Sequence, residues 1–172
     1  MVRLRTLTAG VIMLVKNIVE EDFINYKLPS MFIATCFCDW KCCHEQNLDI
    51  SVCQNSDIAK QPNINISDKE IFKRYISNPI TKAIVIGGLE PFRQFDEVYS
   101  LIKYFRDKGC KDTFIIYTGY NKDEIINQIE QMKTLNNIIL KVGRYIPNNA
   151  PHYDEVLGIK LASDNQKGVI IC

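Results

Sequence analysis

Five of the seven cysteines lie between positions 36 and 53, and their spacing indicates metal chemistry. Cys38 and Cys42 are separated by three residues, and Cys53 follows within a Cys-Gln-Asn segment. In a reducing cytosol, crowded thiols are typical of metal ligands or catalytic groups, whereas a disulfide framework spreads cysteines around a loop-rich secreted chain. Soft thiolates suit iron–sulfur clusters, and a short spacing allows one tight loop to direct two sulfurs inward. A four-iron cube held by three cysteines keeps one iron open for substrate chemistry.

The same part of the sequence also allows a structural zinc site. Zinc binds thiolates and imidazoles, which Cys36, Cys43 and His44 can add to the three cysteines above, although a surface position is favoured for the histidine. Structural zinc sites usually contain two matched Cys-x2-Cys or Cys-x4-Cys pairs, and the chain has no two matched pairs. Spacing alone therefore favours iron–sulfur and zinc about equally, with buried unligated cysteines as a weaker alternative. Cys110 and Cys172 have no partner in the sequence and are interpreted as structural.

The elements that must position these cysteines follow a pattern of alternating strands and helices. Short continuous apolar runs are typical of strands that are buried on both faces. The predicted strands cover 31–35, 83–86, 113–117, 138–142, 156–161 and 168–171. The predicted helices cover about 67–77, 95–108 and 122–135, of which the first begins at a capping box and the second ends at Gly109. Residues 54–66 and 146–154 are predicted to be loops.

This alternation predicts a single α/β domain over residues 1–172, with a mostly parallel sheet and helices covering its faces. In such sheets, ligands bind at the carboxyl ends of the strands. Four unusual segments come directly after predicted strands. They are the cysteine segment 36–55, Gly87-Gly88-Leu89-Glu90-Pro91, Thr118-Gly119-Tyr120 and Ser163-Asp164-Asn165-Gln166. We therefore expect these segments to meet at one edge of the sheet.

Charge and hydropathy exclude several classes of partner. The 21 basic and 20 acidic residues nearly cancel, so no global charge attracts nucleic acid or a membrane surface. Arg3 and Arg5 precede an apolar stretch from Ala9 to Val15, but that stretch is short, ends at Lys16 and has no cleavage pattern after it. A core strand is therefore predicted there rather than a signal peptide. No segment approaches the ~20 apolar residues of a membrane-spanning helix, and we expect a cytoplasmic protein without nucleic-acid or membrane partners.

The order of these motifs resembles the radical S-adenosylmethionine (SAM) superfamily. The resemblance rests on Cys-x3-Cys with an aromatic residue inside, on Cys-Gln-Asn, and on Gly-Gly-x-Glu-Pro after a buried strand. Within that superfamily, the chain is similar to the small activating proteins of the anaerobic (class III) ribonucleotide reductases, through Tyr117-Thr118-Gly119-Tyr120 and Ser163-Asp164-Asn165-Gln166. The resemblance covers about residues 29–171. It implies a partial, open β/α barrel, because the chain is shorter than the ~250 residues of a complete eight-stranded barrel.

The cysteine spacing departs from the superfamily's usual Cys-x3-Cys-x2-Cys pattern. That pattern would place the third ligand at position 45, which is Glu45 in this chain. The cluster ligands that the resemblance implies are Cys38, Cys42 and Cys53. Residues 43–52 would then be an insertion between the second and third ligands. Cys36 and Cys43 are alternatives for the third ligand.

The resemblance also implies a mechanism that uses a [4Fe–4S] cluster and SAM. The reduced cluster would pass an electron to the SAM sulfonium at its open iron, methionine would leave, and a 5′-deoxyadenosyl radical would abstract a hydrogen atom. Gly87 and Gly88 would let the backbone approach the methionyl amino group because they lack a Cβ. Glu90 would support that ammonium or fix the loop. Thr118 and Asn165 would contact SAM, although both residue types are equally common in turns and caps.

The implied function is activation of a large anaerobic ribonucleotide reductase by generating a glycyl radical on that subunit. The electron would come from a donor such as flavodoxin or ferredoxin. Because the chain is short, the partner would complete the site. Two alternatives stay open: a radical SAM enzyme acting on a nucleoside-like small molecule or a peptide, and a non-catalytic α/β binding module stabilised by zinc.

Overall fold

A computed structural model describes residues 10–172, and a mixed sheet lies at its centre. Residues 1–9, with Arg3, Arg5 and the start of the apolar stretch, lie outside the described residues. The strands are β1 (Ile12–Val15), β2 (Asn17–Asp22), β3 (Ser30–Thr35), β4 (Ile64–Ser67), β5 (Ala83–Gly88), β6 (Thr113–Tyr117), β7 (Ile138–Val142), β8 (His152–Asp154), β9 (Ile159–Leu161) and β10 (Lys167–Ile170). The α-helices are α1 (Lys41–His44), α2 (Ser56–Ala59), α3 (Asp68–Ser77), α4 (Phe95–Asp107) and α5 (Ile126–Met132). Short 3-10 turns cover Ile50–Val52, Pro91–Gln94 and Lys122–Ile125.

The central sheet has six strands in the order β10-β7-β6-β5-β3-β2. Its four inner strands run parallel, while β2 and β10 pair antiparallel at the two edges. Two further ribbons pair β1 with β4 and β8 with β9. The predicted α/β class with a mostly parallel sheet is confirmed.

The two faces of the central sheet are covered differently. One face packs against α3, α4 and α5 and forms the larger hydrophobic core, where Ile84, Ile86 and Leu101 are fully buried. The other face packs against the β8–β9 ribbon and forms a smaller core that contains Val85 and Ile115. Within residues 10–172 the prediction of helices on both faces is therefore wrong. The segment that follows β7 and leads to the ribbon is rich in proline and asparagine over 147–151. This composition favours turns over a helix that could cover the second face.

Most predicted elements form where the sequence placed them. β3, β6, β7 and β10 match their predicted positions closely. The hydroxyl of Ser67 caps α3 by accepting a hydrogen bond from the amide of Glu70, and Gly109 ends α4 with a φ of 82°. β1 confirms a core strand near the N-terminus, because Met13 and Val15 are fully buried. Among the described residues, no helix combines the length and apolar character that crossing a bilayer requires.

Several elements differ from the sequence prediction. The strands β2, β4 and β8 fall where none was predicted, and β9 covers only part of the predicted 156–161 strand. β4 escaped prediction because it is short and pairs only with β1, which leaves half of its residues exposed. β5 continues through Gly87 and Gly88 instead of ending before them. The helix predicted over 122–135 starts as the 3-10 turn Lys122–Ile125 and ends at Met132.

Candidate metal centre

The carboxyl ends of the parallel strands bring the predicted motifs to one rim of the sheet. β3 ends at Thr35, directly before the cysteine segment, and Thr35 lies opposite Gly88 on β5. The hydroxyl of Thr35 donates to the carbonyl of Gly87 at 3.0 Å, which ties the two strand ends together. On the other side of β5, Tyr117 of β6 lies opposite Lys141 of β7. The predicted meeting of these segments at one edge is therefore observed.

The fourth segment reaches the same rim by a different route. The prediction placed 163–166 after a strand of the main sheet, but β9 belongs to the separate ribbon. Residues 163–166 instead lead into the antiparallel strand β10, whose first residue, Lys167, pairs with Val142 at the end of β7. The location was correct, but its structural reason was wrong.

A cavity of about 290 Å³ opens at this rim and is lined by four cysteines. They are Cys38, Cys42, Cys43 and Cys53. The three predicted ligands thus share one cavity, and Cys43 shares it with them. Cys36 does not line the cavity: it is buried, and its amide donates to the side chain of Gln94 at 2.5 Å. Its placement gives no support to Cys36 as a third ligand, and His44 is exposed.

A residue in the left-handed backbone conformation lies in the turn between Cys38 and Cys42. Trp40 has a φ of 56°, a conformation that costs ~1–3 kcal/mol for a bulky residue and is commonest at functional sites. The short helix α1 starts directly after it and carries Cys42. This turn lets the amide of Trp40 donate to Sγ of Cys38 at 3.2 Å. On the far side of the segment, the amide of Asn55 donates to Sγ of Cys53 at 3.5 Å.

The electrostatic surroundings of the thiols disfavour a nucleophilic role. Burial raises the pKa of Cys38 to about 12, although the amide of Trp40 partly opposes this. Burial also raises the pKa of Cys42, and the amide of Tyr145 partly opposes that shift. A catalytic cysteine nucleophile has a lowered pKa, so neither thiol suits that role at neutral pH. As metal ligands, both would release their protons on binding.

Two glycines leave space beside the sulfurs. Gly88 lines the cavity with a φ of 82°, and a Cβ there would lie 2.8 Å from the Cβ of Ala34. A Cβ on Gly119 would lie 2.8 Å from Sγ of Cys42. Any larger residue at either position must therefore displace the strand end or the thiol. The loop after β6 therefore packs directly against the cysteine segment at Cys42.

Gly87 acts on the cavity without lining it. A Cβ at this position would lie 3.2 Å from both Phe32 and Tyr117, and both of those side chains line the cavity. Gly87 therefore allows two aromatic walls to approach each other over the sheet. Its predicted contact with a bound ligand stays a prediction.

Glu90 binds the loops after β5 and β6 to each other. Its carboxylate accepts hydrogen bonds from the amide of Phe92 at 3.1 Å, the hydroxyl of Thr118 at 2.8 Å and the amide of Gly119 at 2.9 Å. Burial raises the pKa of Glu90 to about 7 in spite of these donors. The hydroxyl of Thr118 also accepts from the amide of Tyr120 at 3.0 Å. Both residues line the cavity, and the contacts observed for both are internal braces.

Lys141 and Gln166 line the cavity, whereas Asn165 does not. The side chain of Asn165 is exposed and donates to the carbonyl of Arg144 at 2.9 Å. The side chain of Lys141 is largely buried above the ring of Tyr117. Its ammonium has no hydrogen-bond or ion-pair partner among residues 10–172. Burial lowers the pKa of Lys141 to about 8. An unpaired cation inside a cavity is a binding group for an anion.

A family model described as a 4Fe-4S single cluster domain matches residues 29–166. The match spans most of the chain and contains every cysteine that lines the cavity. The chain belongs to the 4Fe-4S single cluster domain family. A comparison with curated proteins finds no match.

The cavity of this 4Fe-4S single cluster domain contains the three cysteines that a four-iron cube would need. In a four-iron cube, each cysteine binds a different iron, so the sulfurs surround the cluster and do not converge on one point. Within the described part of the chain, no three His, Cys, Asp or Glu side chains are grouped as ligands of one metal ion. The family match favours iron–sulfur over the zinc alternative.

Sequence reasoning missed Lys141, Arg144 and Gln166. Lys141 interrupts the apolar run of β7, and a charged residue inside a doubly buried strand is the signal that could have found it. Gln166 is adjacent to the predicted Asn165, and only the turn geometry decides which of the two faces inward. Arg144 gives no sequence signal of its own.

Proposed function

We propose that this protein is a radical SAM activase that generates a glycyl radical on a large anaerobic ribonucleotide reductase. The observation that carries the proposal is the cavity at the carboxyl ends of the parallel strands. There, Cys38, Cys42 and Cys53 share one space with Gly88 and an unpaired lysine. The family match supports the cluster, and the remaining steps rest on the residues around it.

The fold that fits this function is a partial, open β/α barrel. Its support is the unequal covering of the sheet, with α3, α4 and α5 on one face and the cavity on the other. In a barrel, helices cover the outer surface and ligands bind at the carboxyl ends of the strands. The small core between the sheet and the β8–β9 ribbon would be the barrel interior.

Two parts of the cavity wall are suited to the methionyl group of SAM. Gly88, with no side chain, lets the backbone approach the amino group. Lys141, whose ammonium has no hydrogen-bond or ion-pair partner among residues 10–172, supplies a positive charge that matches the carboxylate. Glu90 and Thr118 brace the loop between these two groups. Gln166 adds a buried amide to the cavity lining.

The chain's own residues hold, orient and shield the reacting groups. When bound, the reduced cluster and SAM together supply an electron transfer that yields methionine and a carbon-centred radical, which takes a hydrogen atom from the target glycine. The electron would come from flavodoxin or ferredoxin. Phe32 and Tyr117 form apolar walls that exclude water, and Trp40 stands in the loop between two of the ligands.

The position of the cavity suits a macromolecular target. The cavity opens at the rim of the sheet, where a partner would present its glycine at the mouth. Its volume of about 290 Å³ is at the lower end of the ~300–1,000 Å³ usual for ligand pockets. The formal net charge of only +1 gives no strong attraction for nucleic acid or lipid, and we place this reaction in the cytoplasm.

The test is anaerobic reconstitution with iron and sulfide, followed by addition of SAM, a reductant and the cognate reductase. A glycyl radical signal in the electron paramagnetic resonance spectrum of the reductase is the expected result. Cleavage of SAM to 5′-deoxyadenosine without that signal would exclude this target and direct attention to a small molecule or peptide. No cleavage of SAM by a fully loaded protein would exclude the radical SAM class.

A further inference from the structure

Arg144 is buried beside the cavity and uses every N–H donor of its guanidinium. Nε and Nη2 donate to the two carboxylate oxygens of Glu45 at 2.9 and 3.0 Å. Nη1 and Nη2 donate to the two oxygens of Glu124, both at 2.8 Å. Nη1 also donates to the carbonyl of Gly119 at 2.5 Å. A guanidinium has five donors in a rigid fork, so the position of Arg144 is fully determined.

The partners of Arg144 come from separate segments that surround the thiol of Cys42. Glu45 caps α1, the helix that carries Cys42. Gly119 belongs to the loop after β6 and is the residue whose missing Cβ leaves space for that sulfur. Tyr145, next to Arg144 in the chain, lines the same cavity as Cys42. One side chain therefore joins the cysteine helix, the post-β6 loop and the end of β7.

Further contacts strengthen the same junction. Lys41, which opens α1, pairs with Glu124. Gln46, which follows Glu45, donates to the carbonyl of Tyr145 at 2.9 Å. The first contact joins α1 to the segment after β6, and the second joins the residues after α1 to the segment after β7.

Glu45 has a special place in the sequence. The usual radical SAM spacing would put the third cysteine at this position, and here the side chain pairs with Arg144 instead of lining the cavity. The position that the usual spacing gives to a cysteine ligand thus carries a glutamate that anchors the helix. The third cysteine in the cavity comes from farther along the chain, at Cys53.

We propose that Arg144 and Glu45 form a clamp that positions Cys42 for cluster binding, an inference that rests on the iron–sulfur part of the proposed function. Arg144 is a positioning residue: it acts through Glu45 and Gly119 and does not line the cavity. The fork is the essential feature. A lysine at this position would keep the charge but would lose the paired hydrogen bonds to both carboxylates.

The experiment compares Arg144→Lys and Glu45→Gln with the matched control Arg74→Gln, which removes an exposed arginine that pairs with Glu20 and Glu70. In metal-free protein, hydrogen exchange is measured for the amides of 38–46 and of β5. In reconstituted protein, the rate of iron loss to a chelator and the spectrum of the reduced cluster are measured.

The clamp predicts at least ~10-fold faster exchange over 38–46 in both variants, with β5 unchanged. It also predicts ~10–100-fold faster iron loss and an altered spectrum, as expected when a group that orients a metal ligand is removed. Arg74→Gln should change none of these. Equal acceleration in 38–46 and β5 would mean only global destabilisation and would overturn the clamp, as would wild-type iron loss and spectra in both variants.

The two levels of the account fail separately. If the wild-type protein takes up no iron, the iron–sulfur assignment fails, while exchange in the metal-free protein still decides whether Arg144 holds the cysteine helix. If the wild-type protein loads fully and the variants match it, the clamp fails alone. Glu45→Gln keeps the test open if the arginine variant does not fold, because Glu45 is exposed.

Discussion

The two faces of the central sheet divide stability and chemistry between neighbouring residues. On β7, Leu140 is fully buried against the helices, whereas Lys141 lies on the face with the cavity. The helix-covered face is a continuous apolar core, and the cavity face carries cysteines, a buried carboxylate and an unpaired cation. Because side chains alternate along a strand, one element serves both purposes. Substitutions on the two faces should therefore have different, even opposite, effects.

The largest effect is expected at the cysteines of the cavity face. Cys38→Ser, Cys42→Ser and Cys53→Ser should each abolish nearly all iron binding in anaerobic reconstitution, because each would remove one of the three proposed ligands. Cys110→Ser is the control, since Cys110 packs against the helix-covered core. Iron and sulfide analysis measures the outcome. Full loading of Cys53→Ser would mean that the third ligand is Cys43, which lines the same cavity, and not Cys53.

On the helix-covered face, Leu140→Ala should reduce the free energy of unfolding by about 3–4 kcal/mol, because it leaves a cavity in a closely packed core. Chemical denaturation of the metal-free protein measures this loss. The variant should keep cluster binding under conditions where it is folded. Loss of cluster binding in the folded variant would break the division between the faces.

Glu90 should make stability depend on pH. Its folded pKa of about 7 lies above the ordinary value of 4.5, so the folded state binds the proton more tightly. The contribution of Glu90 to stability is therefore complete below about pH 4.5 and declines as pH rises to about 7, by about 2–3 kcal/mol. Denaturation of wild-type protein and of Glu90→Gln across pH 4–8 measures the difference. A difference between the two curves that does not change with pH would contradict this account.

The smallest stability change, and one of opposite sign, is expected at Lys141. Its folded pKa of about 8 is below the ordinary 10.5, so burial of the charge costs stability at pH 7. Lys141→Met should raise the free energy of unfolding by about 2 kcal/mol and, if the lysine binds a carboxylate, weaken SAM binding ~10–100-fold. Calorimetry of the loaded protein measures the affinity. Destabilisation by this variant would contradict a cost of burial, and unchanged SAM affinity would remove the lysine from the binding site.

The sequence predicts the helix-covered face much better than the cavity face. Apolar runs such as Ala83 to Ile86 identify the buried strands directly, and their carboxyl ends fix where the motifs meet. The cavity cysteines and Gly88 were found because their residue types are rare and their spacing is informative. These signals depend on local sequence, and they can therefore be recognised without the structure.

The remaining site residues could not be predicted because their roles depend on distant partners. Arg144 contacts Glu45 and Glu124, which are far from it in the sequence. Asn165 was predicted to reach the ligand, but the turn before β10 directs Gln166 inward instead. The short strands of the ribbon β8–β9 cover the second face in place of helices, and the proline- and asparagine-rich segment 147–151 before them disfavours a helix.

The most direct test of the central claim is iron, sulfide and zinc analysis of anaerobically prepared protein, with SAM cleavage measured on the same sample. We predict about four irons and four sulfides per chain and formation of 5′-deoxyadenosine once a reductant is added. One zinc per chain, negligible iron and intact SAM would contradict the account.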